Sequence, residues 1–252
     1  MVISGMNVNY IYEPAEKTAL FLEGWNAPLS VYAPLFDYLR KKGYGIAAFD
    51  MPGVGETCEP RSPLTLSDYV SFTLEFCKNV GLEKALLVCH SNGGRIALSM
   101  LADENCPLKC EKAIFIDAAG VREKPSFKAR ASLAGYKKLR FLGTAKPFSY
   151  LFDELYEYAR DKRSSADYKA ASPVMKKTMS NLLSRDLRPL MPKISADVLL
   201  VYGDLDTATP VSHGKAMETL INNSGLAVIP GAGHFSFADC PGAFYAVLDA
   251  FL

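Results

Sequence analysis

The chain has 252 residues, 49% hydrophobic and 22% charged, with 18 Gly and 15 Pro; this composition excludes whole-chain disorder, a collagenous repeat and a disulfide-stapled miniature. Its 28 Lys/Arg and 27 Asp/Glu leave a net +1, which argues against a nucleic-acid binder that relies on strong positive charge. Charge is unevenly spread, however: residues 121–190 hold 16 basic and 7 acidic side chains, so the rest of the chain is acidic.

Short apolar runs ending in Gly, Asp or Ser alternate with longer amphipathic stretches, the rhythm of βαβ units. It predicts an α/β fold with a mostly parallel central sheet flanked by helices. In chain order, an alternating stretch at 8–12 predicts an antiparallel edge strand, followed by a strand at 18–23 (TALFLE), a helix at 30–42 and a strand at 45–50 (GIAAFD). A helix follows at 66–79, opened by Thr65-Leu-Ser-Asp68, a capping box with Asp in the third place. Then come a strand at 84–89 (KALLVC), a helix at 93–102 and a strand at 112–117 (KAIFID). Here the rhythm breaks. Residues 121–190 contain no convincing strand but do contain helical stretches at 152–162 and 174–184, which predicts a helical insertion over one end of the sheet. The alternation resumes with a strand at 197–202 (DVLLVY), a helix at 210–221, a strand at 226–229 and a helix at 242–252. The predicted organisation is a core made of 1–120 and 191–252, with 121–190 inserted into it.

Cys58, Cys77, Cys89, Cys106, Cys110 and Cys240 are irregularly spaced in a chain long enough to need no disulfide framework. The N-terminal stretch MVISGMNVNYIYEP lacks the basic and long apolar regions of a signal peptide, and no stretch approaches the roughly 18 apolar residues of a membrane span. Reduced thiols, a cytoplasmic location and no membrane span are expected. Cys106 and Cys110 have no second Cys/His pair at ligand spacing, so neither metal nor cofactor is expected.

Chemistry concentrates in LLVCHSNGGRIAL, residues 86–98: a buried strand, a serine among small residues, then a helix. A sharp strand-to-helix turn forces Ser91 into an unusual backbone conformation and lifts its hydroxyl above the sheet. A serine hydroxyl is a poor nucleophile at neutral pH and needs a base oriented by an acid. Of three histidines, His90 adjoins Ser91 and points away from it, His213 reads as a solvated helix residue, and His234 lies on the Gly-rich loop PGAGHF that could reach Ser91. His234 is the expected base. For the acid, VYGDLDTATP offers Asp204 and Asp206, with Pro210 opening the next helix at N1. The spacing favours Asp206, leaving Asp204 as a turn residue bonding its own loop, while Asp117 at a neighbouring strand end remains a rival.

The order Ser91, Asp206, His234 resembles that of the α/β-hydrolase family, and the resemblance runs from about residue 19 to the C-terminus. Asp50-Met-Pro-Gly-Val-Gly-Glu-Thr57 is similar to that family's Asp-x-Pro-Gly-x-Gly-x-Ser segment, Leu22-Glu-Gly-Trp25 to its oxyanion loop, and 121–190 lies where it carries a cap. The resemblance implies an oxyanion hole built from the backbone N–H groups of Trp25 and Asn92. Two positions depart from the pattern: Cys89 stands where glycine is usual, and Glu23 where histidine is common. A carboxylate at 23 would oppose a developing oxyanion unless it turns away or is neutralised.

The serine excludes the haloalkane dehalogenases and epoxide hydrolases of this fold, which need a carboxylate nucleophile. The implied activity is hydrolysis of a small or medium acyl ester through an acyl-enzyme. C–C hydrolysis of a vinylogous diketone on the same triad, or a catalytically weak ligand-binding receptor, are the alternatives. The expected partner is a small-molecule acyl substrate, anionic if the basic insertion focuses its charge over the pocket, and the protein is expected to be a monomer or homodimer. Tyr136, Phe141, Phe148, Tyr150, Tyr156 and Tyr158 give the insertion an aromatic content suited either to lining a pocket or to packing on the core.

Overall fold

The computed structural model describes residues 1–122 and 170–252. A small antiparallel hairpin, β1 (Val2–Ile3) and β2 (Met6–Asn7), precedes the main sheet. That sheet comprises β3 (Tyr10–Glu13), β4 (Lys17–Leu22), β5 (Tyr44–Phe49), β6 (Leu86–His90), β7 (Lys112–Ile116), β8 (Asp197–Gly203) and β9 (Ser224–Ile229). Its strand order is β3-β5-β4-β6-β7-β8-β9, parallel throughout except for the antiparallel edge pair β3–β5. The alternation at 8–12 becomes a strand only from Tyr10, because the Val8 N–H closes the hairpin on the Met1 carbonyl and the Asn9 N–H goes to Thr57 Oγ1.

Parallel strands need covered faces, and these strands are apolar on both. Along β4, Leu20 and Leu22 enter one core cluster while Ala19 and Phe21 enter the other. On the first face pack α2 (Leu66–Val80), α3 (Gly93–Leu101), α4 (Pro173–Leu183) and α5 (Val211–Leu220). The second is covered by α1 (Ala33–Lys41) and α7 (Pro241–Phe251), with the short α6 (Ser236–Asp239) leading into α7. Each fully buried Leu or Phe contributes about 1.5–3 kcal/mol of transfer free energy, enough to hold both layers without covalent staples.

Local signals set several boundaries. The Thr65 hydroxyl accepts from the Asp68 N–H while the Asp68 carboxylate accepts from the Thr65 N–H, completing the capping box of α2. Gly81, at φ +70°, ends that helix in the left-handed conformation. Pro210 is the N-cap of α5 with extended ψ, one place earlier than N1. The predicted helix at 174–184 corresponds to α4, whose Leu182 carbonyl, with that of Arg185 just beyond the helix, accepts from the buried Arg95 guanidinium of α3. The helix at 152–162, the six aromatic residues and most of the 121–190 insertion lie outside the described residues. Among the described residues no helix is long and apolar enough to cross a membrane.

This topology locates a crevice. From β4 the chain steps to one side to form β5, then returns to the other side of β4 to form β6. Connections leave β4 and β6 in opposite directions, so their C-terminal ends border the opening at a topological switch point, where ligands bind in open α/β sheets. Residues 23–25 follow β4 there, and Ser91 follows β6.

Candidate active site

Ser91 is non-glycine yet adopts φ +48°, the left-handed region, at the turn from β6 into α3. Such a conformation costs an L-residue about 1–2 kcal/mol, and here the surroundings hold it. Its N–H donates to the Ile116 carbonyl at 3.1 Å, and its own carbonyl accepts from the N–H groups of Gly94 and Ala119 at 3.0 and 2.7 Å. Gly93 has to be glycine because a Cβ there would lie 2.1 Å from the Leu22 carbonyl oxygen, so closely does α3 approach β4.

His234, on the loop between β9 and α6, presents Nε2 at 2.8 Å from Ser91 Oγ and Nδ1 at 2.7 Å from Asp206 Oδ2. Asp206 is buried and surrounded by donors: Oδ1 accepts the Ala208 and Thr209 N–H groups at 2.7 and 3.0 Å, and Oδ2 lies 2.6 Å from the Thr209 hydroxyl. Burial pushes this carboxyl up, but the bonds from His234 and Thr209 outweigh it and hold the group below the ordinary aspartate range. At neutral pH Asp206 is an anion, which fixes the imidazole with its proton on Nδ1 and its lone pair toward Ser91. Three residues far apart in sequence thus form one hydrogen-bonded file.

The rival residues lie elsewhere. Asp117 accepts the Gly203 and Ser236 N–H groups, tying β7 to β8 and to the residues just after His234. Asp204 bonds the Gly231 N–H, in the neighbouring loop rather than its own. His213 is buried where the sequence predicts a solvated residue, on the side of α5 that also carries the buried Gly214 and Met217. His90 is fully buried, and burial together with the adjacent His234 pushes its imidazole down to about 3, so it stays neutral.

Trp25 follows β4, and Asn92 is the N-cap of α3. Neither backbone N–H has an acceptor among the described residues. The half-buried Trp25 also borders a cavity of about 220 Å³ with Val54, Glu59 and Met175. Glu23 is buried beside this loop; its Oε1 accepts the Met51 N–H at 2.7 Å, and its carboxyl lies within hydrogen-bonding reach of that of Asp50. Burial, with nearby Asp50 adding to it, pushes Glu23 up to about 9. The side chain is therefore a neutral acid at pH 7 and places no negative charge beside the oxyanion loop. Asp50 itself is occupied in holding its own loop, accepting from Leu29, Asn9 and Glu56. Thr209 and the protonation of Glu23 carried no signal in the sequence, since both depend on which loops meet. Among the described residues no group of three or more His, Cys, Asp or Glu could hold a metal ion.

Residues 18–241 match the family model of the alpha/beta hydrolase fold. Over 251 residues the chain is 24% identical to YugF, an uncharacterized hydrolase of Bacillus subtilis (strain 168), covering 92% of this chain and 89% of that one. Among solved structures it is similar to the enol-lactonase from Burkholderia xenovorans LB400, at 20% identity and a TM-score of 0.74 over 100% of this chain and 98% of that one. An esterase from Exiguobacterium antarcticum superposes with a TM-score of 0.71 at 22% identity, over 98% and 94% of the two chains. At these identities the structural likeness is one of fold.

Proposed function

The chain belongs to the α/β-hydrolase family, and from that premise we propose that it is a serine hydrolase cleaving a small or medium acyl ester. One observation carries the reading: the continuous file Asp206 Oδ2, His234 Nδ1, His234 Nε2, Ser91 Oγ, at 2.7 and 2.8 Å, with Ser91 held at positive φ. Ser91 Oγ attacks the acyl carbon as its proton passes to His234 Nε2. Asp206 keeps the imidazole in the required tautomer and stabilises the imidazolium. The carbonyl oxygen, now an anion, is received by the Trp25 and Asn92 N–H groups, the latter at the N-terminus of α3 where the helix dipole favours negative charge. His234 returns its proton to the leaving alkoxide, and a water activated by the same imidazole releases the acid from the acyl-enzyme.

A neutral Glu23 fits this hole and removes the main motive for reading the chain as a catalytically weak receptor. The basic excess in 121–190 favours an anionic group on the substrate, and six free cysteines fit a reducing compartment such as the cytoplasm. The test is reaction of wild type and Ser91→Ala with a fluorophosphonate, read by intact mass, beside hydrolysis of p-nitrophenyl acetate, butyrate and octanoate. Stoichiometric labelling that the variant loses, with turnover falling by about 10⁶ as in a serine-protease triad, is expected. A variant within tenfold of wild type would refute the assignment.

A further inference from the structure

We infer that Tyr32 and His90 act together as positioning residues, forming a buried file of hydrogen bonds that fixes the oxyanion loop against the loop carrying His234. The inference rests on the catalytic assignment proposed above. Its links are short and continuous. The Gly24 N–H donates to Tyr32 Oη at 3.0 Å, Tyr32 Oη lies 2.9 Å from His90 Nδ1, and His90 Nε2 lies 2.7 Å from the His234 carbonyl oxygen.

Donor logic admits one arrangement of protons. A carbonyl only accepts, so His90 Nε2 carries the hydrogen; its Nδ1 is then a lone pair and takes the Tyr32 hydroxyl proton, leaving Tyr32 Oη free to accept from Gly24. Every polar atom in the file is satisfied, and neither ring has water access: Tyr32 is 0% and His90 1% exposed. Protonating His90 would make the Tyr32 hydroxyl an acceptor at that contact and leave its own hydrogen without a partner in the file, in keeping with an imidazole that burial holds neutral.

Packing makes the file stiff. Tyr32 stacks obliquely on Phe21 and Phe237 with centroids 4.5 and 5.4 Å away, and His90 lies between Tyr32 and Phe235 at 5.5 and 4.9 Å. Gly24 supports the same conclusion from the other side. Its backbone is not in the left-handed region, yet a Cβ there would lie 2.7 Å from His90 Nδ1 and 3.2 Å from Tyr32 Oη, so glycine is required by the approach of this file alone. Gly24 precedes the Trp25 donor, His90 precedes Ser91, and the last link ends on His234 itself. One row of bonds thereby ties donor, nucleophile and base, whose relative placement within about half an ångström decides rate.

The test compares wild type, Tyr32→Phe, His90→Gln and the double variant in steady-state p-nitrophenyl ester hydrolysis and in the second-order rate of phosphonylation by the fluorophosphonate. Complete removal of an oxyanion donor costs about 10²–10³ in rate, and loosening one should cost less. Each single variant is expected to lower kcat and phosphonylation about 10- to 100-fold with KM within twofold, and the double variant to fall no further than the worse single one. A merely structural role would lower the melting temperature and leave kcat per titrated site unchanged. Nitrogen NMR of the wild-type protein supplies an independent reading that needs no variant: His90 as the Nε2–H tautomer throughout pH 5–9. An Nδ1–H or imidazolium His90, or single variants within twofold of wild type while Ser91→Ala is inactive, would overturn the file alone. Full activity in Ser91→Ala would overturn the catalytic assignment and this inference with it.

Discussion

Replacing Glu23 by Gln isolates the energetic consequence of a buried acid. In the folded chain Glu23 titrates at about 9 against an ordinary 4.5, so between those values the folded state holds a proton that the unfolded state has released. Stability from this group is complete below about 4.5 and is lost as pH rises toward 9, at about 1.4 kcal/mol per pH unit. At pH 7 the accumulated cost is about 3 kcal/mol, and above 9 it reaches about 6 kcal/mol. This is a large share of the 5–15 kcal/mol that typically holds a domain together. Gln removes the titration while keeping an oxygen for the Met51 N–H and offering an amide N–H toward the Asp50 carboxylate. Urea unfolding of both proteins at pH 5.5, 7.0 and 8.5 should show Glu23→Gln gaining about 4 kcal/mol on wild type across the series. Ester hydrolysis of the wild type should also fall near pH 9, as a carboxylate forms beside the oxyanion loop, and that limb should be missing from the variant. A stability difference that stays flat within about 1 kcal/mol over this range would refute the neutral acid, because it would mean that Glu23 is already ionised when folded.

Asp206→Asn should lower kcat by about 10⁴, since the amide no longer enforces the required imidazole tautomer. Because Asp206 titrates low in the fold, its contribution is present above the ordinary aspartate range and lost as pH falls; the variant should flatten the acid side of the stability profile measured by thermal unfolding. Gly93→Ala drives a Cβ onto the Leu22 and Glu23 backbone, while Gly225→Ala meets nothing within 4 Å. Calorimetry should find the first at least about 3 kcal/mol less stable, roughly 10 °C in Tm, and the second within about 1 kcal/mol of wild type. Thr65→Ala removes one half of the α2 capping box and should cost about 1 kcal/mol, read as a Tm lower by about 2–4 °C.

Much of the architecture could be read locally. Runs such as TALFLE and KAIFID are apolar on both faces, which identifies covered parallel strands, and Thr65 and Asp68 carry the start of α2 within four residues. The order Ser91, Asp206, His234 and the glycines after Ser91 marked the segments that the fold brings together. Other features lay beyond local pattern. His213 has the surroundings of a surface residue in sequence and is buried in the structure, because helical periodicity does not say what the rest of the fold brings against a given turn. Asp117 and Asp206 both end or follow strands, and only the loop path separates the carboxylate that meets His234 from the one that braces Ser236.

Short-range sterics and apolar periodicity already set the element types and most of their limits, and local motifs picked out Ser91, Asp206 and His234 before any fold was drawn. Tertiary structure alone decided the proton positions. Glu23 is neutral because its neighbours strip it of water, and His90 faces Tyr32 and His234 because strands distant in sequence lie side by side. Both outcomes depend on solvation and distance, and these exist only once the chain has closed.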